Sequence, residues 1–252
     1  MNLFAGFSDI SIWQLVVVGA VALVANFIGG IAGYGSGALL PLVLVPMIGA
    51  APVVPIIAIS ALFSNVSRVV AYRAHADWRR AAIAITAATP TCILGAWGYT
   101  RLTGAGAAIV IGSMLILSVP LRRLLKHHGV QFKDSGFALG AVGYGVLVGG
   151  TAGSGVVMLS LLMAVGLQGA AVIATDAVIS ILIGVVKVAV FGINGVVTAQ
   201  VLAFALLIGL LAIPGPFLAR AFLARIPVHF HTAILDVVVI VGGVFLIVGA
   251  LR

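Results

Sequence analysis

Ten apolar stretches follow one another along the chain, separated only by short gaps. They run at about 11–32, 38–48, 53–71, 81–99, 104–121, 136–152, 155–165, 169–191, 196–218 and 231–250. Eight have the roughly 17–25 residues that an α-helix needs to cross a hydrocarbon core. The stretches 38–48 and 155–165 hold only eleven residues each and predict short, broken or re-entrant helices. The polar residues fall in the gaps, as at Arg79–Arg80 and Arg122–Arg123. The pattern predicts an all-α polytopic membrane protein of eight to ten transmembrane helical elements, two of them short or broken.

The order of the stretches repeats. Gly33-Tyr34-Gly35-Ser36-Gly37 precedes the first short stretch, and Gly149-Gly150-Thr151-Ala152-Gly153-Ser154-Gly155 precedes the second. Gly-Ser-Gly thus recurs at an offset of 153 − 35 = 118. Each short stretch ends in a glycine-containing break, Gly49 to Pro52 and Gly166 to Gly169, and each break leads into a helix with one interior cation. Those cations are Arg68 and Lys187, at offset 187 − 68 = 119. Two homologous halves are expected, 1–121 and 136–252, joined by a polar loop at 122–135. Paired, glycine- or proline-interrupted segments at matching places in two halves point to the binding site of a secondary transporter.

Charge adds orientation. If both short stretches cross, nine basic residues (Arg73, Arg79, Arg80, Arg122, Arg123, Lys126, Lys133, Arg220 and Arg225) face Arg101 and Arg252 on the other side. With eight crossings the split is eight to three, since Arg220 and Arg225 then change sides with Arg252 and join Arg101. The first count fits the positive-inside rule slightly better, puts 122–135 in the cytoplasm, and makes the halves inverted, because an odd number of crossings flips the second repeat. A multi-pass protein of the bacterial inner membrane is expected.

Composition agrees. The chain is 63% apolar and 7% charged, where a soluble domain carries about 25% charge. Its net charge of +8 could suggest nucleic acid, but basic residues confined to short gaps between apolar runs argue against that partner. The single cysteine, Cys92, excludes an intramolecular disulfide. The first twelve residues contain Asp9 and no Lys or Arg, so no cleaved leader is expected.

The candidate chemistry starts at the glycine turns. Inside hydrocarbon every backbone polar group needs a partner, so non-helical backbone is tolerated only where it is buried in protein or lines a cavity. Glycine lets a ligand approach the backbone, and the helix N-termini that follow carry free N–H groups and partial positive charge, which suit an anion. Gly33, Gly35, Ser36 and Gly37, with Gly153, Ser154 and Gly155, are therefore candidate substrate-binding residues. Close helix packing through Gly29/Gly33 and Gly33/Gly37 is the competing reading. Arg68 lies within its apolar run near Ser60, Ser64, Asn65 and Ser67. A cation at that depth is costly and marks function by default, unless it snorkels to the headgroups; Arg68 and Asn65 are placed in the site. Lys187, about four residues from the end of its run, is nearer to snorkelling range. Asp176, near the start of an apolar helix, is read either as a dipole cap or as a proton acceptor that couples transport to a proton gradient; Asp176 and Lys187 are the candidate coupling residues. Asp236 is expected at the interface. His75, His127, His128, His229 and His231 lie in loops or at helix ends, with no ligand set to hold a metal, and no cofactor is expected.

The stretch Gly30-Ile-Ala-Gly-Tyr-Gly-Ser-Gly-Ala-Leu-Leu-Pro41 resembles the glycine motif of the sulfite exporter TauE/SafE family, the TSUP anion permeases. Gly149 to Gly155, followed by Gly166-Leu-Gln-Gly-Ala-Ala-Val-Ile-Ala-Thr175, is similar to that family's second motif. The likeness covers both halves. It implies a permease for sulfite, sulfonates or related small anions, and it adds Thr175 to the expected substrate-binding residues. Ser36 and Ser154 stand where the family usually has glycine, Leu159 where a second proline is common, and Asp176 where a small neutral residue is usual. A passive anion channel shares the same site physics. An intramembrane serine protease, suggested by Gly-Ser-Gly, would need a histidine base on a neighbouring helix, and every histidine lies at a loop or helix end.

Overall fold

A computed structural model describes residues 6–7, 10–32, 35–127, 131–222 and 228–251. Among these the regular structure is helical. The helices are α1 (Ile12–Ala32), α2 (Ser36–Ile48), α3 (Val53–Tyr72), α4 (Trp78–Tyr99), α5 (Gly104–His127), α6 (Asp134–Gly150), α7 (Gly155–Ala164), α8 (Ala170–Ile193), α9 (Ala199–Ala212), α10 (Pro214–Phe222) and α11 (Val228–Ala250). Among the described residues, six segments are long and apolar enough to cross a membrane: Ile12–Gly30, Val53–His75, Trp78–Tyr99, Gly104–Leu121, Ala170–Ile193 and Ala199–Ala219. The fold is that of an all-α polytopic membrane protein.

Both short stretches are separate short helices, α2 and α7. Gly49 (φ 79°) ends the first, and Gly166 (φ 89°) with Gly169 (φ 53°) separates the second from α8. These left-handed conformations are open to glycine at little cost.

Three boundaries differ from the hydrophobic pattern. The run 196–218 is two helices, because Pro214 lacks the N–H that would continue the hydrogen-bond ladder of α9. Pro214 instead opens α10, where a missing N–H costs nothing. Helix α5 runs past its apolar end at Leu121 into the polar joint, so six residues of the expected loop are helical. A helix that emerges into water keeps its own backbone hydrogen bonds and needs only polar side chains. Asp236 is buried within the protein. It lies two turns inside α11, in a helix that begins earlier than the apolar run.

Small residues set the closest helix contacts, as expected where lipid gives no hydrophobic drive between helices. Helices α4 and α6 run parallel: a Cβ at Gly145 would overlap Ala88 O and Thr91 Oγ1, and one at Gly149 would overlap Cys92 O. Thr91 Oγ1 donates across this seam to Val142 O at 2.8 Å. Helix α1 lies on α9 and α10 in the same parallel sense, with Gly19 against Leu211 and Gly30 against Ala219. Helices α3 and α8 are antiparallel, Leu62 meeting Gly184 where Arg68 meets Asp176. Helices α5 and α11 are also antiparallel, through Gly112 and Gly243. Helix α3, the most buried of the six segments, thus packs against α8, and the starts of α2 and α7 share a cavity with this pair.

Candidate anion site between two glycine turns

The two glycine turns touch. A Cβ on Gly37 would lie 2.8 Å from Gly153 N and 3.1 Å from Gly153 Cα. Gly153 has φ 83°, the left-handed turn that redirects the chain from α6 into α7. Gly35 is extended (φ 172°), but a Cβ there would overlap Ala25 O of α1. Sterics at one turn and backbone conformation at the other therefore demand glycine. Neither α2 nor α7 receives a side-chain hydrogen bond from its N-cap residue, Gly35 or Ser154. Gly33 and Tyr34, the start of the first turn, lie outside the described residues.

Beside this contact is a cavity of about 130 Å³. Gly35, Ser36 and Gly37 of the first turn line it, as do Thr151 to Gly155 of the second. Helix α3 contributes Ile57, Ala58, Ala61, Ser64, Asn65 and Arg68. Helix α6 contributes Tyr144 and Val148, and α8 contributes Asp176, Ser180, Ile183, Gly184 and Lys187. The structure therefore brings together Gly35, Ser36, Gly37, Asn65, Arg68, Gly153, Ser154, Gly155, Asp176 and Lys187. Space for a few water molecules is also space for a small oxyanion.

Arg68 does not snorkel. Its residue is 9% exposed; Nη1 donates to Asp176 Oδ2 at 3.1 Å, and Nη2 donates to Asn65 Oδ1. Asp176 is 1% exposed, and its Oδ1 is buried without a hydrogen-bond partner. Lys187 does not snorkel either. Its Nζ donates to Val148 O and, at 2.9 Å, to Thr151 O, and it stands 5.8 Å from the centroid of the Phe191 ring. These carbonyls belong to the C-terminal end of α6 and the turn after it, where a cation is favoured by the helix dipole. Lys187 thus secures the second glycine turn. Its replacement by methionine removes a charged donor from two carbonyls, worth about 1.5–3 kcal/mol, and should lower the thermal unfolding midpoint in detergent. An unchanged midpoint would show that the turn holds without it.

Thr175 stands apart from the cavity. It is fully buried, and its Oγ1 accepts from Asp77 N–H at 2.9 Å. Asp77 caps α4, Oδ1 accepting from Arg80 N–H at 2.9 Å and Oδ2 from Arg80 Nη1 at 2.6 Å. Arg80 Nη2 reaches Val165 O at 2.9 Å. Burial raises the Asp77 carboxyl, but the hydrogen bonds and charge of Arg80 outweigh this and hold it below its ordinary value. Thr175 therefore pins the α3–α4 connection onto the start of α8. Ser60 and Ser67, one turn either side of Ser64, return their hydroxyls to Ile57 O and Phe63 O of their own helix.

Ser180, Gly184, Ala61 and Tyr144 are among the lining residues that escaped the sequence reading. Ser180 and Gly184 follow Asp176 at i+4 and i+8, one face of α8, and that spacing could have revealed them. Ala61, at i−4 from Asn65, follows the same rule on α3. Tyr144 carries the one phenolic hydroxyl of the apolar, glycine-rich α6, a polar tip that needs a polar neighbour when buried.

The charged lining groups are two cations and one carboxylate, and two helix N-termini add partial positive charge. The lining contains no histidine. The arrangement suits an anion. No curated protein and no solved structure matches the chain. The family model described as sulfite exporter TauE/SafE matches residues 18–246, which takes in both glycine turns, α3 and α8, and the chain belongs to that family of membrane anion exporters.

Proposed function

We propose that the protein is a secondary carrier for small sulfur-containing anions such as sulfite or a sulfonate. The anion occupies the cavity beside the Gly37–Gly153 contact and takes hydrogen bonds from the first-turn N–H groups of α2 and α7 and from the Ser36 and Ser154 hydroxyls. The observation that carries this reading is the convergence of two uncapped helix starts on a small cavity that Arg68 also lines. Asn65 fixes the guanidinium plane. Thr175 serves the site indirectly, by seating the start of α8. The two halves, 1–121 and 136–252, act as inverted repeats. The packing supports this, since α6 lies on α4 as α1 lies on α9 and α10, and the α3/α8 and α5/α11 pairs are antiparallel. The carrier sits in the bacterial inner membrane with 122–135 in the cytoplasm, the orientation that the distribution of basic residues favours.

A ligand that binds only the folded protein stabilises it by mass action, by about 2.7 kcal/mol at a hundredfold excess over Kd. Sulfite and sulfoacetate are expected to raise the unfolding midpoint of the purified protein, with taurine and plain carboxylates raising it less. Failure of every anion to shift the midpoint would reject the site. Concentrative uptake into proteoliposomes distinguishes the carrier from a passive anion channel, which only equilibrates.

A further inference from the structure

We infer that the substrate anion and the Asp176 carboxylate compete for the Arg68 guanidinium, so that the carrier binds its anion together with one proton on Asp176. This rests on the reading above that the cavity takes the anion. Both partners of the ion pair line that cavity, so an anion entering it meets Arg68 only in the presence of Asp176. One carboxylate oxygen is held by Arg68, but Oδ1 is buried with no donor. An ionised carboxylate with a bare oxygen repels a second anion placed against the same guanidinium, and low polarity strengthens that repulsion. Protonation removes the repulsion. It also turns Oδ1 or Oδ2 into an O–H donor that can face the anion, and it weakens the hold of the carboxyl on the Arg68 N–H, so that the anion can take that donor. A neutral Asp176 with a bound monoanion carries the same total charge as an ionised Asp176 in an empty cavity, so the loaded and unloaded sites are electrostatically alike.

The surroundings leave Asp176 as the group that changes. Arg68 and Tyr72 face this region from α3, Tyr144 from α6 and Cys92 from α4, while Lys187 lies eleven residues along α8. Asp77 belongs to the connection that packs on Thr175. Helices α2 and α7 bring no titratable side chain. Lys187 is committed to backbone carbonyls of the second glycine turn and has no carboxylate to release. The acid is also confined to one half: the positions 118 and 119 residues earlier, 176 − 118 = 58 and 176 − 119 = 57, are Ala58 and Ile57. One carboxylate per chain gives one proton per anion.

The test uses methanesulfonate, a monoanion throughout the accessible pH range, so that any titration belongs to the protein. The intact protein in lipid nanodiscs should bind it with a Kd that rises about tenfold per pH unit on the alkaline side, the slope for one linked proton. In weakly buffered solution, binding should take up one proton per anion, a readout that needs no variant. Asp176→Asn, which fixes the neutral form, should bind with a Kd independent of pH and take up no proton. Methanesulfonate binding to the unaltered protein without proton uptake would overturn the coupling and leave the anion site standing. A pH slope that survives in folded Asp176→Asn would also overturn it. No methanesulfonate binding at any pH would remove the site and the coupling together.

Discussion

Arg68→Ala is expected to weaken anion binding about 10- to 150-fold, the loss of one charge-assisted hydrogen bond of about 1.5–3 kcal/mol. It should also destabilise the fold. Arg68 is the ion-pair partner of Asp176, and a buried charge stripped of its partner costs about 3–5 kcal/mol. The two effects separate in a double variant. Arg68→Ala with Asp176→Asn removes both charges, so the unfolding midpoint should recover while the anion affinity stays below that of Asp176→Asn alone. Arg73→Ala is the control, since Arg73 is exposed in the 3₁₀ turn after α3 and should bind like the unaltered protein. Equal affinities for Arg68→Ala and Arg73→Ala would take Arg68 out of the site. A double variant that binds as tightly as Asp176→Asn alone would show that Arg68 serves the fold alone.

Much of this site could be read from the chain because its signals are local. A glycine turn before an eleven-residue apolar run is visible without any tertiary knowledge, and so is a cation within a hydrophobic helix. The recurrence of both signals at offsets of 118 and 119 made each easier to recognise. What could not be read was the pairing. Arg68 and Asp176 are 108 residues apart and meet because α3 and α8 lie antiparallel, which no local spacing encodes. Seen along α8 alone, Asp176 has only Lys187 as a conceivable partner, three turns away, while Lys187 turns out to serve the carbonyl end of α6. Thr175 shows the converse. It sits beside Asp176 in sequence, yet a step of one residue turns about 100° around a helix, enough to direct it to the α3–α4 connection instead of the cavity.

The glycine turns give the other large effect, and their two halves should respond in opposite ways. Gly37 and Gly155 occupy equivalent places in the two Gly-Ser-Gly sequences, and both line the cavity. Their Cβ directions differ. At Gly37 the new carbon would sit 2.8 Å from Gly153 N, backbone of a turn already fixed at φ 83°. At Gly155 nothing lies within 4 Å, and the backbone is helical. Alanine at 37 gains at most about 0.5–1 kcal/mol of helix propensity and forces an overlap whose relief costs about 1–3 kcal/mol or more, so the balance is destabilising. Alanine at 155 keeps the propensity gain and meets no clash, so the unfolding midpoint should stay level or rise. Its methyl group instead takes space beside the first N–H groups of α7, where the proposed site holds the anion. The expected result is a loss of affinity of about tenfold, the worth of one neutral hydrogen bond, in a protein at least as stable as before. Ser36→Gly, which removes a hydroxyl and leaves the backbone N–H in place, should retain most of the affinity. Unfolding midpoints and anion Kd values for the three variants decide the matter. If Gly155→Ala binds like the unaltered protein while Ser36→Gly loses the ligand, side chains define the site and the backbone cradle is wrong.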